Sequence, residues 1–208
     1  MKQSRQPVEA LIVINGPIAA GKSTVAQALG RRLRQDGRPT AVVDLDELYL
    51  MMSAKPMGDP QMWRRARRAA AALTDCFFAS GMEIVVVEGA FWDESERAPF
   101  LDALTWSGSP LFVTLLVSHD VACRRVQGDS GRSLSRSPDS LRRNNEEFAA
   151  RLDPLRATDL VLDSDAQTPQ QLVTTILSRR SPTFADLLLA IPRDDGEFER
   201  IPLRPRPG

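Results

Sequence analysis

Cysteine and histidine are almost missing from this chain of 208 residues: Cys76, Cys123 and His119 are the whole supply. With no C-x-x-C pair and one histidine, they make neither a disulfide framework nor a zinc site. A chain of this length needs neither, because it can bury roughly 70% of the surface its unfolded form exposes. Excess charge of either sign is also absent, with 27 basic against 27 acidic side chains. That balance argues against a surface that tracks a polynucleotide backbone. No run approaches the ~20 apolar residues of a membrane span. The run Ala10 to Ile14 is too short for the apolar part of a secretion signal. These absences predict a cytoplasmic protein that handles small molecules, with neither a membrane nor a nucleic acid as partner. Lysine is scarce too, at Lys2, Lys22 and Lys55 alone, so a lysine in a glycine-rich loop is not filler.

Five short apolar runs punctuate the chain: Leu11 to Asn15, Ala41 to Leu45, Ile84 to Glu88, Leu111 to Val117 and Leu160 to Leu162. Each is nearly continuous rather than alternating, as strands covered by helices on both faces are. Helical patterns lie between them. Lys22 to Gln35 carries Ala26, Leu29 and Leu33 at helical spacing and stops at Gly37 and Pro39. Asp59-Pro60 is a cap followed by a first-turn proline, opening a segment with Ala66, Ala69, Ala70, Leu73 and Phe77 inward. Ser137-Pro138 repeats the signal before Leu141 to Leu152. The order predicts one doubly wound α/β unit with a parallel sheet and ligands at the carboxyl ends of its strands. The expected division is a main domain over residues 1–180 and a C-terminal extension over 181–208, a short helix plus an irregular tail.

The first strand runs into Gly16-Pro-Ile-Ala-Ala-Gly21-Lys22-Ser23, which fits G-x-x-x-x-G-K-[ST] at every fixed position and opens a helix. Glycines let the backbone curl so that amides converge on phosphate oxygens, and the helix start adds partial positive charge. Gly16, Ala19, Ala20, Gly21, Lys22, Ser23 and Thr24 are therefore the expected contacts to ATP. Lys22 is to reach the β- and γ-phosphates and Ser23 to ligate Mg²⁺.

Acids follow at two further strand ends. Strand alternation puts Asp44 and Asp46 on one side, Asp44 for the water shell of the metal and Asp46 to accept a proton from a substrate hydroxyl. Helix capping is the alternative for either. Glu88 ends the third run, where an acid holds the metal's water shell or positions substrate, and Gly89 lets backbone approach a ligand. Trp92 opens onto the same edge as a candidate wall of the acceptor pocket. Arg64, Arg65, Arg67 and Arg68 form a basic cluster that reads as a solvated face or, with Trp63, as an acceptor clamp.

The phosphate loop, the Asp44-Leu-Asp46 segment and the arginine-bearing stretch after the fourth strand resemble the P-loop small-molecule kinases of the shikimate-kinase and chloramphenicol-phosphotransferase-like group. The resemblance covers roughly residues 9 to 180. It implies a three-layer α/β/α P-loop NTPase fold, a five-stranded parallel sheet in the order 2-3-1-4-5, and a lid over about residues 124–143. It gives Asp46 the acceptor hydroxyl. It also makes Tyr49 and Met52 pocket walls, because Asp46-Glu-Leu-Tyr-Leu-Met-Met is similar to the segment lining the chloramphenicol pocket. An arginine at Arg124 or Arg125 would pack on adenine, and the loop to Pro169 would close its other side. Arg132 and Arg136 would swing onto the transferring phosphoryl group.

The activity implied is transfer of the γ-phosphoryl group of ATP to a small-molecule hydroxyl, on a metabolite or an antibiotic. Two alternatives are a zeta-toxin-like kinase of nucleotide sugars or nucleic-acid ends, and a nucleotide-dependent switch. The switch lacks support: no N-K-x-D or T-K-x-D segment follows the fourth strand, no strand leads to a D-x-x-G, and no L-S-G-G-Q run occurs. Oligomeric state and the acceptor's identity stay open at this level.

Overall fold

The computed structural model describes residues 9–53, 57–128 and 137–179. The expected lid arginines Arg132 and Arg136 and the extension 181–208 lie outside the described residues. Five strands, β1 (Ala10–Asn15), β2 (Thr40–Asp44), β3 (Ile84–Glu88), β4 (Leu111–Leu116) and β5 (Leu160–Asp163), form one parallel sheet in the order 2-3-1-4-5. Eight helices are described: α1 (Lys22–Gln35), α2 (Leu45–Met52), α3 (Pro60–Ala79), α4 (Glu94–Leu101), α5 (His119–Gln127), α6 (Pro138–Ala149), α7 (Leu152–Thr158) and α8 (Pro169–Ser178).

The absence of alternation in β1 has a direct cause. Ala10, Ile12 and Ile14 pack on one face with Leu29 of α1 and Ile176 of α8, while Leu11 and Val13 pack on the other with Ala66 of α3 and Phe100 of α4. Every β1 residue is buried, so neither face tolerates a polar side chain. The helix starts follow local chemistry. Asp59 accepts a hydrogen bond from the Gln61 amide at 2.9 Å ahead of Pro60, and Thr168 and Gln171 form a reciprocal capping box on α8.

Three differences from the sequence reading matter for the site. β2 ends at Asp44, because Asp44 caps α2 and the helix begins at Leu45. Asp46 therefore sits in the first turn of a helix, and the strand alternation expected to pair it with Asp44 does not apply. The buried stripe of α3 is Ala66, Arg67, Ala70, Ala71, Thr74 and Phe78, so Ala69, Leu73 and Phe77 are only half-buried. Helix α4 carries Pro99 inside it, a break signal that hides the helix in the sequence.

A polar chain lies buried beneath the carboxyl edge. Asn15 donates to Thr114 Oγ1 at 3.0 Å, and Thr114 donates to Asp159 Oδ2 at 2.6 Å. Arg97 of α4 meets both oxygens of Asp159, at 3.0 and 2.6 Å. The other end of Asn15 accepts the Phe91 amide at 3.0 Å, so the residue before the phosphate loop also fixes the loop after β3. Burial of this charge is tolerated because each polar atom has a partner.

Candidate functional site

The phosphate loop leaves β1 and curls back into α1. A Cβ on Gly16 would lie 2.6 Å from the Leu115 carbonyl oxygen of β4, so glycine is the only residue that fits there. Ala19 adopts φ 63°, a left-handed conformation that costs a non-glycine residue on the order of 1 kcal/mol. No side chain caps the first turn of α1, so its first amides are not taken up by a capping side chain and are placed as an anion-binding helix start would need. Lys22 Nζ donates to the carbonyls of Gly16 and Pro17, at 3.2 and 3.1 Å.

Three groups outside the motif hold the loop in shape. Asn144 of α6 accepts the Ile18 amide at 2.8 Å. The Trp92 indole donates to the Gly16 carbonyl at 3.3 Å. Arg125 of α5 donates to the Ala19 carbonyl at 3.0 Å and to the Ser164 carbonyl at 2.6 Å.

The strand-end acids meet at the start of α1. Asp44 and Glu88 are register partners across β2 and β3. Glu88 is 4% exposed. Burial pushes its carboxyl up to about 8, the charge of Asp44 and a shared hydrogen bond with that carboxyl push the same way, and the Ser23 hydroxyl and Lys22 oppose. Asp44 also caps α2, accepting the Asp46 and Glu47 amides at 2.8 and 3.3 Å, so the capping alternative holds for it. Among the described residues no three His, Cys, Asp or Glu side chains cluster as metal ligands. Two carboxylates and one hydroxyl nevertheless suit Mg²⁺, which keeps several waters and takes the rest of its oxygens from phosphates. Two acids forced to share a proton beside a hydroxyl are a donor set that such a cation fits.

Beside the loop lies a pocket of about 410 Å³ lined by Ala19, Ala20, Gly21, Thr24, Val25, Arg125, Ser164, Gln167, Pro169 and Leu172. It brings together six of the expected nucleotide contacts, and of the two arginines Arg125 lines it and Arg124 does not. Ser164 and Gln167 fall in the loop Asp163 to Pro169 that the sequence reading set against the base, although it singled out neither residue. Gln167 Oε1 is buried with no hydrogen-bond partner, an orphan acceptor on the pocket wall.

Other expectations are corrected. Tyr49 offers no wall: it is wholly buried against Trp63, with ring centroids 4.5 Å apart, and its hydroxyl accepts the Gly58 and Asp59 amides at 3.3 and 3.1 Å. Trp92 is 7% exposed, committed to Gly16 and to Phe148 of α6, and so braces the phosphate loop instead of lining an open pocket. The missing side chain of Gly89 serves Leu45, whose Cβ would lie 2.6 Å from a Cβ there; the close neighbour is core, not a ligand. Of the arginine cluster, Arg67 is buried while Arg64, Arg65 and Arg68 form the exposed face. Met52 stays open to solvent at 40% exposure, and Asp46 is exposed in the first turn of α2. No helix among the described residues is long and apolar enough to cross a membrane.

Comparison with known proteins agrees with this fold. The chain is 28% identical over 177 residues to a shikimate kinase of Pseudomonas savastanoi pv. phaseolicola, covering 81% of this chain and 94% of that kinase. Its fold matches a gluconokinase from Sinorhizobium meliloti at TM-score 0.57 and 23% identity, over 89% of this chain and 96% of the other. It also matches a tunicamycin resistance protein of Deinococcus radiodurans at TM-score 0.55 and 19% identity, over 82% and 94%. The family model described as an AAA domain matches residues 11–155. With that match over most of its length, the chain belongs to the AAA_33 family of AAA domains, in the P-loop small-molecule kinase group.

Proposed function

We propose that the protein is a cytoplasmic ATP:alcohol phosphotransferase that moves the γ-phosphoryl group to a hydroxyl of a small molecule. The observation that carries this reading is the convergence of Ser23, Asp44 and Glu88 beside the phosphate loop, with the pocket of Arg125 and Gln167 on one side and Asp46 on the other. In this reading adenine enters the pocket, and Gln167 Oε1 accepts from its exocyclic amino group. The amides of residues 16–24 grip the triphosphate. Lys22 exchanges its two carbonyl acceptors for phosphate oxygens.

Ser23, Asp44 and Glu88 would hold Mg²⁺ and its waters, and a bound ion would supply positive charge beside the phosphates. Asp46 accepts the acceptor's hydroxyl proton as the oxygen attacks phosphorus, with Met52 beside the acceptor. Arg132 and Arg136 take the developing negative charge, a role that comes from the family resemblance.

The test is a screen of hydroxylated metabolites and antibiotics for acceptor-dependent ADP release. ATP consumption that no added hydroxyl compound alters, and that instead tracks binding of a protein partner, would overturn the kinase reading in favour of a switch.

A further inference from the structure

Arg125 of α5 bridges two segments of the pocket wall. Its Nη1 donates to the Ala19 carbonyl at 3.0 Å and to Ser164 Oγ at 3.1 Å, and its Nη2 donates to the Ser164 carbonyl at 2.6 Å. The Ser164 end is rigid. Ser164 is 3% exposed, and both its amide and its hydroxyl donate to the Leu116 carbonyl at the end of β4, at 3.0 and 2.7 Å. The guanidinium therefore runs from the sheet to the phosphate loop. It is a planar fork with fixed donor directions, so two anchored nitrogens leave it little freedom.

The loop end carries strain. Among the described residues Ala19 is the one non-glycine residue with positive φ, and a left-handed alanine returns to ordinary backbone unless its surroundings hold it. Lys22 serves the Gly16 and Pro17 carbonyls and Trp92 the Gly16 carbonyl, while the Ala19 carbonyl is met by Arg125. The amide on the far side of the same peptide, that of Ala20, donates to the Pro17 carbonyl at 3.3 Å. The peptide plane between Ala19 and Ala20 is thus pinned at both ends, and it leads directly into Gly21 and Lys22. A Cβ on Gly21 would lie 3.9 Å from Arg125 Nη1, so the guanidinium stays close to the chain along that turn.

Resting on the phosphate-loop part of the kinase reading, we propose that Arg125 is a positioning residue for the triphosphate: from its anchor on β4 it holds Ala19 left-handed, and with it the curl whose amides meet phosphate. The family resemblance gives this arginine to adenine alone. Its flat face remains free for a base, but its edge is committed to the loop, so its effect reaches a phosphate chain that carries no base. A loop that leaves the held conformation binds less tightly in proportion to the fraction that remains in it.

The test titrates the full chain with inorganic tripolyphosphate and with ATP by calorimetry, and urea midpoints are measured beside the affinities. Arg125→Lys keeps the charge but replaces the fork by a single ammonium, which cannot span Ala19 and Ser164 together. The position is exposed on α5, so the variant should fold. Affinity for tripolyphosphate should fall at least about fivefold and affinity for ATP by at least as much, and the loss should persist in about 0.5 M salt, where exposed charge is screened. Adding Ala19→Gly to that variant should recover at least about threefold, because glycine adopts the conformation without a restraint. Ala19→Gly alone should change affinity by less than about twofold, since Arg125 already holds the loop.

A loss confined to ATP would leave Arg125 as a stack for the base, and a loss that salt abolishes would reduce it to a charge. A shifted urea midpoint with unchanged affinities would make it a support of the fold alone, and a double variant that recovers nothing would free Ala19 from its hold. Each overturns the inference. Should Arg125→Lys misfold, Ala19→Gly alone decides: unchanged affinity supports the inference, and tightening beyond about twofold overturns it by showing that the wild-type loop is not held. Binding that follows Arg125 without acceptor-dependent ADP release removes the kinase reading and keeps the inference. A wild-type chain that binds neither ligand removes both.

Discussion

Replacing Glu88 by glutamine should flatten the way stability depends on pH. The carboxyl is raised from an ordinary value of 4.5 to about 8 by burial and by Asp44, so the folded protein holds a proton that the unfolded chain has released. The stabilisation this gives is complete below about 4.5, where both states are protonated, and is lost as pH climbs to 8. Within that window each pH unit removes up to about 1.4 kcal/mol. Allowing for the curve levelling off near 8, the step from pH 6 to pH 7.5 removes about 2 kcal/mol. For a domain of this size that is a fall of roughly 4–8 °C in Tm. Differential scanning calorimetry without magnesium or nucleotide, on wild type and Glu88→Gln across that range, isolates the effect of the Glu88 and Asp44 pair, because every titrating group outside that pair is common to both. The gap in Tm should move by about that amount in favour of the variant as pH rises. Parallel curves would refute the assignment of the shared proton to the Glu88 and Asp44 pair. Adding magnesium with nucleotide should shrink the wild-type slope, since a cation favours the ionised carboxyl.

Four further outcomes are expected. Asp46→Asn should cut kcat by about 10²–10⁴ in steady-state assays while ATP-analogue affinity stays within a few-fold; Lys22→Ala should lower kcat at least about 100-fold with every acceptor. Asn144→Ala strips the Ile18 amide of its partner and should cost about 1 kcal/mol in urea unfolding, together with weaker nucleotide binding; unchanged affinity would show that α6 does not shape the loop. Asp159→Ala leaves Arg97 buried without its partner, so a loss of about 3–5 kcal/mol is expected, and a loss under 1 kcal/mol would mean the polar chain beneath the site is not a structural support.

The legible parts of this protein were those in which neighbouring residues carry the signal. The phosphate loop is a contiguous pattern, and the five strands are contiguous apolar runs, so both could be read directly. The strand order 2-3-1-4-5 is not local; it came from family resemblance and agrees with the structure. Asp46 was misplaced because alternation was extended two residues past Asp44, whose side chain turns the chain into a helix. Tyr49 was assigned to a pocket wall by the family resemblance and Trp92 by its position. Their polar atoms meet Gly58, Asp59 and Gly16, and the Trp92 contact spans 76 residues. Nothing nearby in sequence announces such a partner. Gln167 and Asn144 were invisible for the same reason, since an amide shows its function only by what it faces.

The Gly16 carbonyl receives the Lys22 ammonium and the Trp92 indole together. Under the proposed function an arriving phosphate would draw the lysine from main-chain to phosphoryl oxygens, while the tryptophan would stay behind as the carbonyl's remaining donor. The cradle would then keep its curvature through loading and unloading, with the cost of reorganisation confined to one flexible side chain.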